Sequence, residues 1–296
     1  MRAVWAVAAL TGFLVAAATG CSSATPAGPV QARRAAPPAS YYLALGDSLS
    51  QGVQPNSSGV SVNTPDGYPD QLYAALRPRH PGLRLVKLGC NGETTATMIS
   101  GGICRYPGGS QLAAAVSFLR AHGSRVSLIT IDIGANDPDS CVTRASALDL
   151  ASCALRAIPK TAANLTRILA RLREAAPDAP MFAMNYYMPA LAQWRNGLVG
   201  RTVARLTEVA ATGFNDVLTK TYQLFGVRVA DVSAAFQSGD FGQQENRPGY
   251  GVLPRNVAAI CSWTWECAPP PRGPNEHPNQ AGYAVIARAF QLAGAR

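Results

Sequence analysis

Apolar and polar positions alternate in blocks along the chain. Five short apolar runs stand out: Tyr41 to Leu45, Leu83 to Leu88, Val126 to Ile133, Met181 to Met188 and Val227 to Val232. Runs of this length, the first three ending in glycine-containing segments, read as buried strands. Between them the period changes. Leu165, Ile168, Leu169 and Leu172 fall at offsets of three, four and seven, the signature of one helix face. A second helical pattern runs from Trp194 to Tyr222, with Leu198, Val199, Leu206, Val209, Val217 and Leu218 on a broad apolar side. A third spans Gln280 to Leu292, with Asn279 as N-cap and Tyr283, Ile286 and Phe290 turned inward. Strands alternating with helices predict an α/β fold, a parallel sheet covered on both faces. Ligands bind such sheets beyond the carboxyl ends of the strands.

Two stretches break the pattern. Val53 to Asp66 and Ser238 to Pro274 are long, irregular and rich in Gly, Pro, Asn and Ser, and are expected to rim a site. The N-terminus differs again. Arg2 precedes an apolar stretch from Ala3 to Ala18, the layout of an export signal, too short to span a membrane comfortably. Ala18-Thr19-Gly20-Cys21 resembles the bacterial lipobox, whose cysteine carries lipid, although Ala18 stands where Leu is usual. The rival is ordinary signal cleavage nearby. Residues 21–40, rich in Ala, Pro and Ser, suit a flexible tether. The expected organisation is therefore a signal peptide over 1–20, a tether over 21–40 and one catalytic domain over 41–296. The protein would be secreted, or held at the outer face of the membrane through a Cys21 lipid.

Composition fits that plan. Hydrophobic residues make up 48% and charged residues 15%, enough to bury a core and unlike a disordered chain. The net charge of +9 is spread without a run of five like charges, so no nucleic-acid patch is expected; anionic lipid headgroups or wall polymers remain natural partners. The expected state is a monomer. With Cys21 set aside, six of the seven cysteines remain, an even number that favours disulfides in an exported chain. The local set is expected: Cys90 with Cys104, Cys141 with Cys153, and Cys261 with Cys267. None has the Cys-x-x-Cys spacing of a zinc site, and no metal is expected.

The chemistry sits at strand ends. Gly46-Asp47-Ser48-Leu49 follows the first strand, where a hydroxyl can enter a cleft and backbone N–H groups can face a developing oxyanion. Alone, such a serine is more often a helix cap. The second strand leads to Gly89-Cys90-Asn91-Gly92 and the third to Gly134-Ala135-Asn136-Asp137, either of which alone would be turn chemistry. Asp137 is expected to hold the loop that presents Asn136. Of three histidines, His80 and His122 sit at predicted helix ends, and only His277, just before the last helix, is placed to be a base.

Taken together, Gly46-Asp47-Ser48-Leu49, Gly92, Gly134-x-Asn136-Asp137 and His277-Pro278 resemble the SGNH/GDSL hydrolase family from about Tyr42 to Phe290. The resemblance implies a three-layer α/β/α, flavodoxin-like five-stranded parallel sheet and hydrolysis of acyl esters through an acyl-enzyme, with no cofactor. It implies Ser48 as nucleophile, His277 as general base, and an oxyanion hole from the N–H groups of Ser48 and Gly92 and the Asn136 amide. One block departs. The family carries Asp three residues before the histidine, or two in some members, and here those positions are Pro274 and Asn275. A main-chain carbonyl near Pro274 is the preferred partner for His277, ahead of the Asn275 side-chain oxygen and a carboxylate from a distant loop. Glu276 ranks last because it would have to fold back. Trp263 and Trp265, with Tyr186, Tyr187 and Met188, are candidate walls of an acyl pocket. The competing functions are a carbohydrate O-deacetylase or acyltransferase at the cell envelope, using the same residues, and a binding protein whose catalytic block has decayed.

Overall fold

The computed structural model describes residues 39–137 and 147–295, without the side chains of 147–156. The expected signal, the tether to residue 38 and Cys21 therefore lie outside the described residues, as do Cys141 and the Cys153 side chain.

The first apolar run forms β1 (Ser40–Gly46), buried from Tyr42 onward on both faces, which is why it shows no alternation. A single turn, α1 (Ser48–Gln51), follows at once. The small hairpin β2 (Gln54–Pro55) and β3 (Ser61–Val62), α2 (Tyr68–Leu76), β4 (Leu83–Lys87), α3 (Thr95–Ser100), α4 (Gln111–His122) and β5 (Val126–Asp132) come next. The second half runs α5 (Ala147–Ala175), β6 (Met181–Met184), α6 (Gly197–Leu224), β7 (Arg228–Ala230) and α7 (Val232–Ala235). It ends with the hairpin β8 (Gln244–Arg247) and β9 (Gly251–Pro254), α8 (Arg255–Trp263) and α9 (Gln280–Leu292).

Five strands pair in parallel in the order β4-β1-β5-β6-β7. This is the flavodoxin-like order, whose direction of winding reverses between β1 and β5. Helices α2 and α9 pack together, and α4, α5 and α6 form the other neighbouring set, completing three α/β/α layers. Tyr68 of α2 stacks on Phe290 of α9, with ring centroids 4.8 Å apart. Asn279 caps α9 by accepting the Gly282 N–H at 3.0 Å.

The reversal point opens a crevice at the carboxyl ends of β1 and β5, and the chain turns there through Gly46, whose φ is +137°. A Cβ at Gly46 would collide with the Asp132 main-chain oxygen. Gly46→Ala is accordingly expected to destabilise the fold by about 3 kcal/mol or more, read from urea unfolding.

Three expectations change. Strand β6 stops at Met184, so 185–188 leave the sheet and are free to line the site. The segment 238–274 is not irregular throughout: it contains the β8–β9 hairpin and α8. The Trp194 to Tyr222 pattern divides into a 3₁₀ segment, Pro189–Arg195, and α6, and the face of α6 turned to the protein carries Gly200, Ala204 and Ala211. Leu198, Val199, Leu206 and Val209 are exposed instead. Leu218, on the same expected side, is buried; in the first half of the helix small residues allow closer packing than large ones, which reverses the face that apolar content alone favours there.

Candidate active site

Ser48 is the one half-buried residue in an otherwise buried stretch from Tyr42 to Ser50. Its position as first residue of α1 leaves its N–H among the donors a helix cannot satisfy internally. The turn before it is held from two sides. Asp47 Oδ1 accepts the Leu49 N–H at 2.9 Å, capping α1. Asp132 Oδ2, at the end of β5, accepts the N–H groups of Asp47 at 3.2 Å and Ser50 at 3.1 Å, while Oδ1 accepts the Tyr68 hydroxyl at 2.6 Å. Burial first, then the neighbouring Asp47 carboxylate, pushes the Asp132 carboxyl well above the usual carboxylate range. Gln111 adds a third support, its amide exchanging two hydrogen bonds with the Gly46 main chain, of 2.7 and 2.9 Å.

The β4 end supplies the next wall. Cys90 donates its N–H to Gly46 O at 3.1 Å and is disulfide-bonded to Cys104. Gly92 sits in the following turn at φ +74°. Asn136 reaches this segment from the end of β5, its Nδ2 donating to Glu93 O at 2.9 Å. An amide nitrogen carries two hydrogens, so one remains for a second acceptor. Asp137 accepts the Thr95 N–H at 2.8 Å and the hydroxyls of Thr95 and Thr161, and so anchors the Asn136 loop to α3 and α5.

His277 arrives from the far end of the chain. Its ring is buried, and its main chain is tied to the segment closed by the Cys261–Cys267 disulfide: Trp265 donates its N–H to His277 O at 3.0 Å, and Asn275 donates to Trp265 O at 3.3 Å. Tyr187 fixes the same loop through Glu276 O at 2.8 Å. The partner of Nδ1 is Asn275 Oδ1 at 2.9 Å, which replaces the expected carbonyl near Pro274. The reason is local geometry. Asn275 Oδ1 also accepts the His277 N–H at 3.1 Å, the turn in which an Asn side chain bonds the backbone two residues on, and this carries the oxygen to the imidazole edge. The same bond settles which amide atom is oxygen, since a main-chain N–H only donates. Asn275 Nδ2 donates outward to Ser61 Oγ at 3.1 Å. With an oxygen facing Nδ1, the proton sits on Nδ1 and Nε2 is free to accept one. Glu276 does fold back, its Oε1 lying 3.5 Å from Nδ1 while most of the side chain stays in water.

Ser48, Asn136 and His277 line one cavity of about 720 Å³. Its walls are largely apolar: Ile158, Tyr186, Tyr187, Met188, Ala211 and Phe214. Gly92 is not among the lining residues; its neighbour Glu93 accepts the Asn136 amide. Trp263 and Trp265 stand behind the wall, Trp263 packed edge-on against Phe236 and Trp265 donating its indole N–H to Gln54. His80 is exposed, and His122 packs on Tyr41 and Phe118 beside Arg125, away from the cavity. Among the described residues no group of three His, Cys, Asp or Glu could hold a metal ion.

Sequence reading passed over Asp132, Gln111 and Asn215, whose amide clamps the Tyr186 main chain with bonds of 2.9 and 2.7 Å. Asp132 alone left a signal, as the acid in the apolar Val126 to Ile133 run. Burial lowers the His277 pKa below its ordinary value, and the Glu276 carboxylate partly opposes this. A base must be neutral to act, so the acidic limb of any activity is expected below about pH 6.5. Glu276→Gln removes the opposing charge and is expected to move that limb to still lower pH in a kcat/KM profile; an unmoved limb would show that Glu276 does not act on the ring.

The family model for the GDSL-like lipase/acylhydrolase family matches residues 44–285. Among solved structures, the chain is similar to an extracellular lipase from Streptomyces rimosus, with 21% identity, 86% of this chain and 100% of that one covered, and a TM-score of 0.57. It is also similar to phospholipase A1 from Streptomyces albidoflavus, at 22% identity, 86% and 100% coverage and a TM-score of 0.52. An acetylxylan esterase from Geobacillus stearothermophilus aligns at 16% identity, 86% and 94% coverage and a TM-score of 0.51. Identities this low speak to the fold. No curated protein matches the sequence significantly.

Proposed function

Because the chain belongs to the GDSL-like lipase/acylhydrolase family, we propose that it cleaves carboxylic esters of lipid or other acyl chains through an acyl-enzyme on Ser48. The observation that carries this reading is the meeting of Ser48, Asn136 and His277 in one apolar-walled cavity, from three distant parts of the chain. His277 Nε2 takes the Ser48 hydroxyl proton as Oγ bonds to the carbonyl carbon. The carbonyl oxygen gains the charge, and the N–H groups of Ser48 and Gly92 and the second hydrogen of the Asn136 amide stabilise it. Collapse of this adduct breaks the ester C–O bond, and His277 returns the proton to the departing alcohol. Water then repeats the sequence on the acyl-enzyme, releasing the acid and restoring Ser48.

Throughout, Asn275 Oδ1 keeps the proton on Nδ1. It stabilises the imidazolium less than a carboxylate would, and Glu276 supplies part of the missing charge from 3.5 Å. Retention of this geometry around Asn275 is the argument against a decayed binding protein. The apolar walls favour an acyl chain over acetyl alone, and hence an acyl esterase over a carbohydrate deacetylase. The two described disulfides suit an oxidising compartment, in keeping with export.

A fluorophosphonate probe tests the reading: labelling is expected on the peptide containing Ser48 and is lost in Ser48→Ala. Absence of labelling in the folded wild type rejects the hydrolase assignment. A chain-length series of p-nitrophenyl esters, run beside acetylated xylan, is expected to favour acyl chains longer than acetyl. A preference for the acetylated sugar would select the deacetylase.

A further inference from the structure

Helix α6 is apolar on the side that faces water. Along its first turns the inner face carries small or polar residues, Gly200, Ala204, Glu208 and Ala211, and the large buried side chains, Leu218 and Tyr222, come only near its end. Its outer face carries Leu198, Val199, Leu206 and Val209, each between 66% and 82% exposed, with Val203 beside them. Five of the eleven large hydrophobic residues exposed among the described residues thus fall on three turns of one helix. Positions 199, 203, 206 and 210 are spaced by four, three and four, so they form a continuous stripe about 18 Å long. A patch of this kind on a soluble surface marks an interaction site rather than scatter.

The edge of the stripe is cationic and aromatic. Arg201 and Arg205 lie over the Trp194 ring at 5.3 and 5.1 Å, and Arg205 also lies 4.7 Å from the Phe241 ring. Neither arginine is ion-paired among the described residues. Uncompensated guanidinium groups beside an indole ring and an apolar stripe match the layered chemistry of a lipid surface, phosphates outside and acyl chains beneath. The net charge of +9 points the same way. The stripe is also continuous with the cavity: Ala210, Ala211 and Phe214, on the next turns of α6, line the space that contains Ser48 and His277.

The geometry points to α6 as a docking face for anionic lipid surfaces, entering the acyl layer with Leu198, Val199, Leu206 and Val209 and meeting headgroup phosphates with Arg201 and Arg205. This rests on the ester-hydrolase reading and narrows its substrate class to amphiphilic esters presented at an interface. Docked in this way, α6 would bring the cavity that Ala210 and Phe214 line close to the acyl layer.

The test is sedimentation of the full chain with vesicles of phosphatidylcholine alone and of equal parts phosphatidylcholine and phosphatidylglycerol. The wild type is expected to partition at least about tenfold more strongly onto the anionic vesicles. Leu206→Ser with Val209→Ser is expected to weaken partitioning about tenfold or more, and Arg201→Gln with Arg205→Gln to remove the preference for anionic vesicles. Hydrolysis of a soluble short-chain ester should be unchanged in both variants, which separates this inference from the hydrolase reading. The substituted side chains face solvent, and circular dichroism melts check that the fold survives. The inference is overturned if the wild type ignores both vesicles, or if the serine variant partitions like the wild type. It is also overturned if the stripe instead covers a second copy, seen as a dimer that the serine substitutions dissociate and that does not sediment with lipid.

Discussion

Ser48→Ala is expected to lower kcat on any ester substrate by roughly 10⁴- to 10⁶-fold, and His277→Ala by a similar factor, with the double variant no slower than either single one. The physical basis is that the two groups perform one act. Without Nε2 to take its proton, the Ser48 hydroxyl is a weak nucleophile; without Oγ, the imidazole has nothing to activate but water. The turn that presents Ser48 does not depend on its side chain, since the hydrogen bonds there involve Asp47, Asp132, Ser50 and Gln111. Ser48→Ala should therefore unfold at nearly the wild-type urea concentration. Effects that multiply in the double variant would mean that the two residues act independently, contrary to the proposed mechanism.

The second large effect is expected at Asn275, with opposite signs for two substitutions. Asn275→Ala removes the acceptor 2.9 Å from Nδ1 and the bond to the His277 N–H, so the ring loses its fixed tautomer. A fall in kcat of about 10²-fold is expected, smaller than full loss of a triad acid because Glu276 Oε1 is still near Nδ1. Asn275→Asp keeps the turn and adds a full charge, stabilising the imidazolium formed in the transition state. A rise in kcat of about tenfold is expected. The sign of the pH effect follows from the same charge. An adjacent carboxylate raises the His277 pKa, so the acidic limb moves up in pH, against the downward movement expected for Glu276→Gln. Unchanged kcat in Asn275→Ala would return the orienting role to another group.

The placement of the strands was legible because their signals are local. A run such as Tyr41 to Leu45 closed by Gly46 needs no distant information to read as a buried strand leading to a turn. The order of the blocks was legible for the same reason, and so was the cap at Asn279. The partner of His277 was not. Nothing in the string Pro274-Asn275-Glu276-His277 tells whether the carbonyl, the amide or the carboxylate faces the imidazole; Trp265, on the disulfide-closed segment, fixes the loop in the shape that selects the amide. Glu276, adjacent in sequence and expected to point away, is brought within 3.5 Å by that same shape.

Helix α6 shows the limit most clearly. Its apolar residues encircle the helix, so period alone could not say which arc the protein covers. Close packing favours the arc of Gly200, Ala204 and Ala211 in the first half of the helix, and only the assembled layers reveal that Leu198, Val199, Leu206 and Val209 remain outside while Leu218 is buried. Sequence by itself therefore determined the parallel α/β plan, because turn residues and hydrophobic period act over a few positions, and it marked Ser48, Asn136 and His277 as candidates through the joint resemblance of their blocks to one family. Tertiary structure alone decided their meeting in one cavity, the Asp132 and Gln111 supports beneath Ser48, the amide partner of His277 and the outward face of α6. Each of these depends on groups distant in the chain or on a choice between neighbouring groups, and packing, rather than local preference, makes that choice.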